Sequence, residues 1–185
     1  MIDATIRLAT PDDVNEIWQC ICDLAEYEHS LDQVSSTPED LRALLFGGIA
    51  PGVASSTPHG QPGAWCHVVE LADPLSEPPR KIAGFALWFL NTSTWTGRHG
   101  LYLEDLYVRP EFRGRGYGQR LLSTLAAECL ARGYSRLEWW VLDWNTPSID
   151  FYLSQGAVAM DEWTVYRVDG QELGELAASV DTVGS

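Results

Sequence analysis

Apolar and polar positions repeat with two different periods along the 185 residues, and each change of period marks an element. Residues 2–8 alternate as a short strand. Thr10-Pro11-Asp12-Asp13 then supplies a cap, a proline at the first helical position and an acid three residues after the cap. Val14, Ile17, Trp18, Ile21 and Ala25 follow at helical spacing, so a helix is predicted that ends near Tyr27-Glu28. Thr37-Pro38-Glu39-Asp40 repeats the start signal before Leu41, Leu44 and Leu45. Residues 65–71, 81–90 and 101–108 read as strands of an antiparallel meander, with a proline-rich turn at 73–79 and a loop at 91–100 between them. A helix over 119–132 carries the stripe Leu121, Leu122, Leu125, Ala126 and Cys129. A strand at 136–142 parallel to its predecessor, a short helix from Asn145 to about Ser154, a last strand at 163–168 and a terminal helix at 171–178 complete the chain. Residues 47–63, rich in Gly, Pro and Ser, read as a mobile surface loop. This order predicts an α/β (α+β) protein, a single domain over residues 1–185 with a mixed, mostly antiparallel central sheet flanked by helices.

Charge and cysteine usage narrow the picture. A formal net charge of −14 argues against a nucleic-acid partner, whose footprint is a basic stripe, and suits a cationic one; solubility alone also accounts for many of the carboxylates. No run of about eighteen uncharged apolar residues occurs, and the first residues lack a basic segment before an apolar stretch, so a cytoplasmic protein without a membrane segment is expected. Cys20, Cys22, Cys66 and Cys129 have neither zinc-knuckle nor redox-pair spacing and read as buried thiols in a reducing compartment. His29, His59, His67 and His99 are scattered, and no metal is expected.

The chemistry-bearing motif is Arg109-Pro-Glu-Phe-Arg-Gly-Arg-Gly-Tyr-Gly118, between a strand and a helix. Gly114, Gly116 and Gly118 allow a tight turn and close approach of a ligand, so that the N–H groups of Tyr117, Gly118 and Gln119 point at phosphate oxygens, while Arg113 and Arg115 add charge. The loop lacks the Gly-Lys-Ser/Thr ending of a P-loop, and its glycine spacing is wrong for a dinucleotide fingerprint. Arg113-Gly-Arg-Gly-Tyr-Gly118 instead resembles the R/Q-x-x-G-x-G/A signature of the GNAT N-acetyltransferases. Leu24-Ala-Glu-Tyr-Glu28, Tyr102-Leu-Glu-Asp105, Leu142-Asp-Trp-Asn145 and Asp150-Phe-Tyr152 are similar to the spermidine/spermine (diamine) and thialysine branches of that superfamily.

The resemblance implies acetyl transfer from acetyl-coenzyme A to a primary amine of a small polyamine or diamine, by direct attack in a ternary complex. Thialysine, another amino acid or another amine is the alternative substrate, and a coenzyme A binding sensor without turnover is the alternative of another class. An ammonium with pKa about 10.4 is free amine to roughly one part in a few thousand at neutral pH, so a base must help. The resemblance gives that role to Glu104, directly or through water. Strand alternation is expected to turn Asp105 to the opposite side, so that one of the two meets the amine and the other binds the far end of the substrate or serves a dimer contact. Backbone N–H groups near Leu106 and Tyr107 are candidates to receive the developing oxyanion. By resemblance Leu106, Tyr107 and Val108 pair through main chain with the pantetheine arm. Tyr152 matches the family's general acid for the departing thiolate, and Asn145 and Ser148, on its side of the helix, become cosubstrate contacts. Tyr27 and Glu28 match amine-site residues. Glu138, Trp139 and Trp140 face the same cleft by resemblance, which also implies a homodimer.

Overall fold

The computed structural model describes residues 3–47, 62–72 and 80–182, so most of the loop predicted at 47–63 and the turn at 73–79 lie outside the described residues. Five strands form one open sheet in the order β1 (Asp3–Leu8), β2 (Trp65–Ala72), β3 (Arg80–Ser93), β4 (Arg98–Val108) and β5 (Leu137–Glu138). The first four pair antiparallel, and β5 runs parallel to β4. The helices are α1 (Val14–Tyr27), α2 (Pro38–Phe46), α3 (Tyr117–Arg132), α4 (Thr146–Ser154) and α5 (Gly170–Ala178). The chain divides into two compact units, Met1–Leu142 and Asp143–Ser185.

In the first unit the helix starts form as their sequences dictate. The Asp13 carboxylate accepts from the Thr10 N–H at 2.7 Å, and at α2 Thr37 and Asp40 exchange both capping bonds. The first turn at Pro11–Asp13 is 3-10, with α geometry beginning at Val14. Val14, Ile17 and Cys20 of α1 are buried in one cluster with Val68, Phe85, Leu87 and Tyr107, while the alternate strand residues Val69, Ala86 and Leu103 are buried outside it. That alternation separates a layer holding α1 from a layer holding α3, whose Leu121 and Leu125 are fully buried.

Three boundaries differ from the expectation. The loop at 91–100 is mostly strand: Asn91, Thr92 and Ser93 pair with Gly100, His99 and Arg98, and a tight turn closes with the Gly97 N–H on the Ser93 carbonyl at 2.9 Å. The strand at 136–142 shrinks to Leu137–Glu138, because only Leu101 and Tyr102 of β4 find partners there. The strand at 163–168 does not form. A strand needs a neighbour to accept its backbone bonds, and the described part of the second unit contains helices only; Trp163, Val165, Tyr166 and Val168 are exposed.

Candidate active site

The glycine-rich loop carries the geometry of an anion cradle. Gly114 and Gly116 have φ of +74° and +78°, a region that side chains with a Cβ avoid. A Cβ at either would meet no protein atom within 4 Å, so the backbone there borders open space. The first bond into the 16-residue helix α3 runs from the Arg120 N–H to the Gly116 carbonyl at 3.0 Å, leaving the N–H groups of Tyr117, Gly118 and Gln119 without intrahelical acceptors at the positive end of the helix dipole. The two loop arginines are turned to other partners. The Arg113 guanidinium lies 5.4 Å from the ring centre of Tyr27 and 5.7 Å from that of Tyr107, and its Nε donates to the Val108 carbonyl at 2.9 Å. Arg115 lies over Phe112 at 5.5 Å and reaches the Glu111 carbonyl at 3.4 Å.

Upstream, a β-bulge re-aims the acids of β4. Leu87 faces Asp105 and Trp88 faces Leu103, so Glu104 is an extra residue without a partner on β3. Cross-strand partners share a face, and Phe85, Leu87 and Phe89 lie on the α1 face; their partners Tyr107, Asp105 and Tyr102 therefore lie there too. Glu104 follows Leu103, which is buried on the other face, so it turns toward the α1 face as well. The expectation that Glu104 and Asp105 point to opposite sides is corrected by this one-residue insertion.

Their charges are coupled as that geometry requires. Burial, then the neighbouring charges of Glu104 and Glu28, push the Asp105 carboxyl up to about 7. Burial also raises the pKa of Glu28, which caps α1 and gives its N–H to the Leu24 carbonyl at 2.9 Å. The helix end is fixed by a reversal at His29, φ +58°, that sends the Ser30 N–H back to the Ala25 carbonyl at 2.8 Å. Glu28, Glu104 and Asp105 thus converge without a salt-bridge partner among the described residues.

The second half of β4 keeps an open edge. The Arg109 N–H bonds the Ala83 carbonyl at 2.9 Å, and antiparallel alternation then turns the Tyr107 backbone groups toward β3 and those of Leu106 and Val108 away from it. Of the two N–H groups expected to meet an oxyanion, only that of Leu106 faces the open side; the Tyr107 N–H belongs to the ladder. Where β5 departs, the Trp140 ring meets Tyr102 edge-on at 5.7 Å. Trp140 is exposed and Trp139 half-buried, so neither is a core residue. The Glu138 carboxylate accepts from Asn91 Nδ2 at 2.5 Å and pairs with Arg136 Nε at 2.6 Å, which ties it to the sheet.

Sequence reasoning passed over Tyr102 as a contact in its own right, although it stands in the quoted Tyr-Leu-Glu-Asp run. It also passed over Arg109, whose Nε lies 3.3 Å from the buried Cys20 sulfur and which lines a recess of about 390 Å³ with Asp23, Tyr27, Tyr107 and Arg113. No local signal marks Arg109, since its partner lies 89 positions earlier.

In the second unit, Asn145 caps α4: its side-chain oxygen accepts from the Ser148 N–H at 3.3 Å, with Pro147 in the first turn. Asn145 is buried, and Tyr152 lies one turn past Ser148, its ring 5.3 Å from that of Phe151. Among the described residues, no group of three or more His, Cys, Asp or Glu is placed to hold a metal ion, and no helix is long and apolar enough to cross a membrane.

An open mixed sheet, a bulged and splayed fourth strand and a glycine cradle at the start of α3 define an N-acetyltransferase scaffold. Residues 58–157 match the acetyltransferase (GNAT) family, and the chain belongs to it. It is 37% identical over 181 residues to a thialysine N-epsilon-acetyltransferase of Sus scrofa, covering 96% of this chain and 99% of that one. A human spermidine/spermine N(1)-acetyltransferase-like protein 1 is 30% identical over 93% of this chain and 23% of its own length. An integron cassette protein of V. cholerae shares the fold with a TM-score of 0.72, at 24% identity over 96% of this chain and 99% of that one. Enzymes of this family use acetyl-coenzyme A as the acetyl donor.

Proposed function

We propose that this acyltransferase acetylates a primary amine of a small diamine or polyamine. The observation that carries the reading is the convergence of Glu28, Glu104 and Asp105 on one face, with the Asp105 carboxyl raised to about 7. Those acids attract a substrate with more than one ammonium. A carboxylate that ionises near neutrality is also suited to accept the proton an ammonium must lose. The resemblance assigned the base to Glu104; the bulge places Asp105 beside it, and we assign proton acceptance to the pair, with Asp105 the better matched. Acetyl-coenzyme A, when bound, supplies the activated acyl group. Tyr117, Gly118 and Gln119 would hold its pyrophosphate through their N–H groups, with Gly114 and Gly116 shaping the turn. Leu106 and Val108 offer main-chain groups to its arm, and the Leu106 N–H is the oxyanion donor. By the resemblance alone Asn145 and Ser148 are assigned as cosubstrate contacts, and the Tyr152 hydroxyl as the proton donor to the leaving thiolate. Glu138 and Trp139 belong to the frame of the cleft, and Trp140 to its wall.

A second reading, acetylation of the side-chain amine of an amino acid such as thialysine, is favoured by the 37% identity to the Sus scrofa enzyme. A panel of diamines, polyamines and amino acids assayed with acetyl-coenzyme A separates the two; no turnover of any amine would leave a coenzyme A binding protein. The resemblance also supports one acetyltransferase domain acting as a cytoplasmic homodimer, which sedimentation analysis tests. In Tyr152→Phe the ring remains and only the hydroxyl is lost. Turnover is expected to fall at least a hundredfold with little change in acetyl-coenzyme A affinity, the usual scale of general acid help. A stable variant at the wild-type rate, with chemistry limiting, removes that role.

A further inference from the structure

We propose that His67 is a positioning residue for the acids of β4, because it holds the indole whose packing keeps the bulge before Asp105 in register. The proposal rests on the reading that Glu104 and Asp105 accept the substrate proton. His67 is 4% exposed and lies on the α3 face of β2, opposite Ala86. Its Nδ1 accepts the indole Nε1–H of Trp88 at 3.1 Å, with the two ring planes 18° apart. An acceptor at Nδ1 fixes the tautomer: the ring is neutral and carries its proton on Nε2. Burial lowers the His67 pKa against the opposing charge of Glu128 on α3, so this form holds at neutral pH. The partners on the neighbouring strands, Leu8 of β1 and Ala86 of β3, bring no charge.

Trp88 stands where the bulge begins. The pairing of β3 with β4 slips between Leu87 and Trp88, so that Leu87 faces Asp105 while Trp88 faces Leu103. A bulge disrupts the ladder locally, and side-chain packing beside it must then select the register. An unbroken ladder in step with Leu87 and Asp105 would set Glu104 opposite Trp88, on the face where Leu103, Leu121 and Leu125 are buried. The Trp88 side chain is bonded to His67, stacked on Trp65 at 4.9 Å and only 3% exposed, and it keeps that place apolar for Leu103. Glu104 is thereby left as the extra residue that turns to the α1 face beside Asp105. His67 acts through the indole and not on the substrate.

The test compares His67→Leu, His67→Asn and the His67→Leu/Trp88→Phe double variant. Spermidine or thialysine is the amine, whichever the wild type turns over faster. His67→Leu removes the acceptor, and kcat/KM is expected to fall about tenfold while calorimetric affinity for acetyl-coenzyme A changes less than about threefold. Its acid limb should move from about pH 7 by about half a unit or more, because the carboxyl pair is no longer held in the same place. His67→Asn, whose side-chain oxygen can stand where Nδ1 does, should recover most of the rate and return the limb. The double variant leaves no indole N–H unpaired, so its Tm should recover toward wild type while its rate stays low. The proposal is overturned if folded His67→Leu keeps the wild-type kcat/KM and acid limb, if His67→Asn is no better than His67→Leu, or if rate recovers together with Tm in the double variant. Should His67→Leu fail to fold, the double variant carries the same comparison with wild type. NMR of the Asp105 carboxyl carbon, identified with Asp105→Asn, follows the same ionisation without turnover, so an inactive wild type would count against the enzyme reading alone.

Discussion

The two halves of β4 use the same kinds of residue to opposite ends. Up to Leu103 the strand is held on both edges: β3 pairs along it, β5 meets Leu101 and Tyr102, and Asn91 and Arg136 engage the Glu138 carboxylate. Packing there is close enough that a Cβ on Gly100 would sit 2.3 Å from the Asn91 side-chain oxygen. From Glu104 on, β5 is gone, one residue is inserted, and Glu104 and Asp105 face Glu28 with no salt bridge among the described residues to offset them. A carboxylate in the first half is part of the frame. In the second half it stands without a salt-bridge partner among the described residues, and under the proposed function it is the charge that meets a cationic substrate.

Asp105→Asn should show the largest contrast between the halves. If Asp105 accepts the substrate proton, kcat/KM falls about a hundredfold to ten-thousandfold. In the wild type the rate should fall as pH drops through about 7, because the base must be ionised, and this limb should vanish in the variant. The sign for stability is opposite. A carboxyl with a raised folded pKa binds its proton more tightly when folded, so wild-type stability is full below about pH 4 and declines as pH rises to about 7, by on the order of 4 kcal/mol at most. Asp105→Asn should lose this decline in thermal melts across that range. A wild-type rate with an unchanged acid limb would move the base elsewhere, Glu104 first.

Breaking the cradle comes next in size. Gly116→Val forces a β-branched residue to φ +78° and fills space that borders no protein atom. Where the free loop relaxes out of that conformation, restoring it on binding costs about 1–2 kcal/mol, roughly tenfold in affinity, before any collision with the ligand. Calorimetric titration of acetyl-coenzyme A measures it; unchanged affinity in a folded variant removes the cradle assignment.

What could be read from the chain follows the range of the interactions involved. The capping signals at Thr10 and Thr37, the α1 stripe and the glycines at 114 and 116 depend on neighbours within a few residues, and each was legible. The bulge was not. Tyr102-Leu-Glu-Asp105 looks like unbroken alternation until β3 is laid beside it, and only the pairing of Leu87 with Asp105 shows that Glu104 is extra. Residues 163–168 alternate as a strand should, but pattern without a partner edge makes none. Arg113 carries the motif's charge in sequence, while its partner Tyr27 lies 86 positions earlier, where no local rule reaches.

The smallest effects sharpen the comparison most, because they set one glutamate in each setting to the same change. Glu138→Gln removes a charge paired with Arg136 at a site where both side chains are more than a third exposed, so it should cost under about 1 kcal/mol in unfolding experiments and leave the amine KM alone. Glu28→Gln removes a charge raised in pKa by burial and facing Asp105, with no counter-ion among the described residues to lose. Stability should hold or improve slightly, while the KM rises about threefold more for a diamine than for a monoamine of equal length. That difference should shrink at high salt, since a second ammonium held by charge alone is screened within about 10 Å at 0.1 M. Equal effects on both amines would make Glu28 a solvated helix end and leave the acidic half of β4 to Glu104 and Asp105.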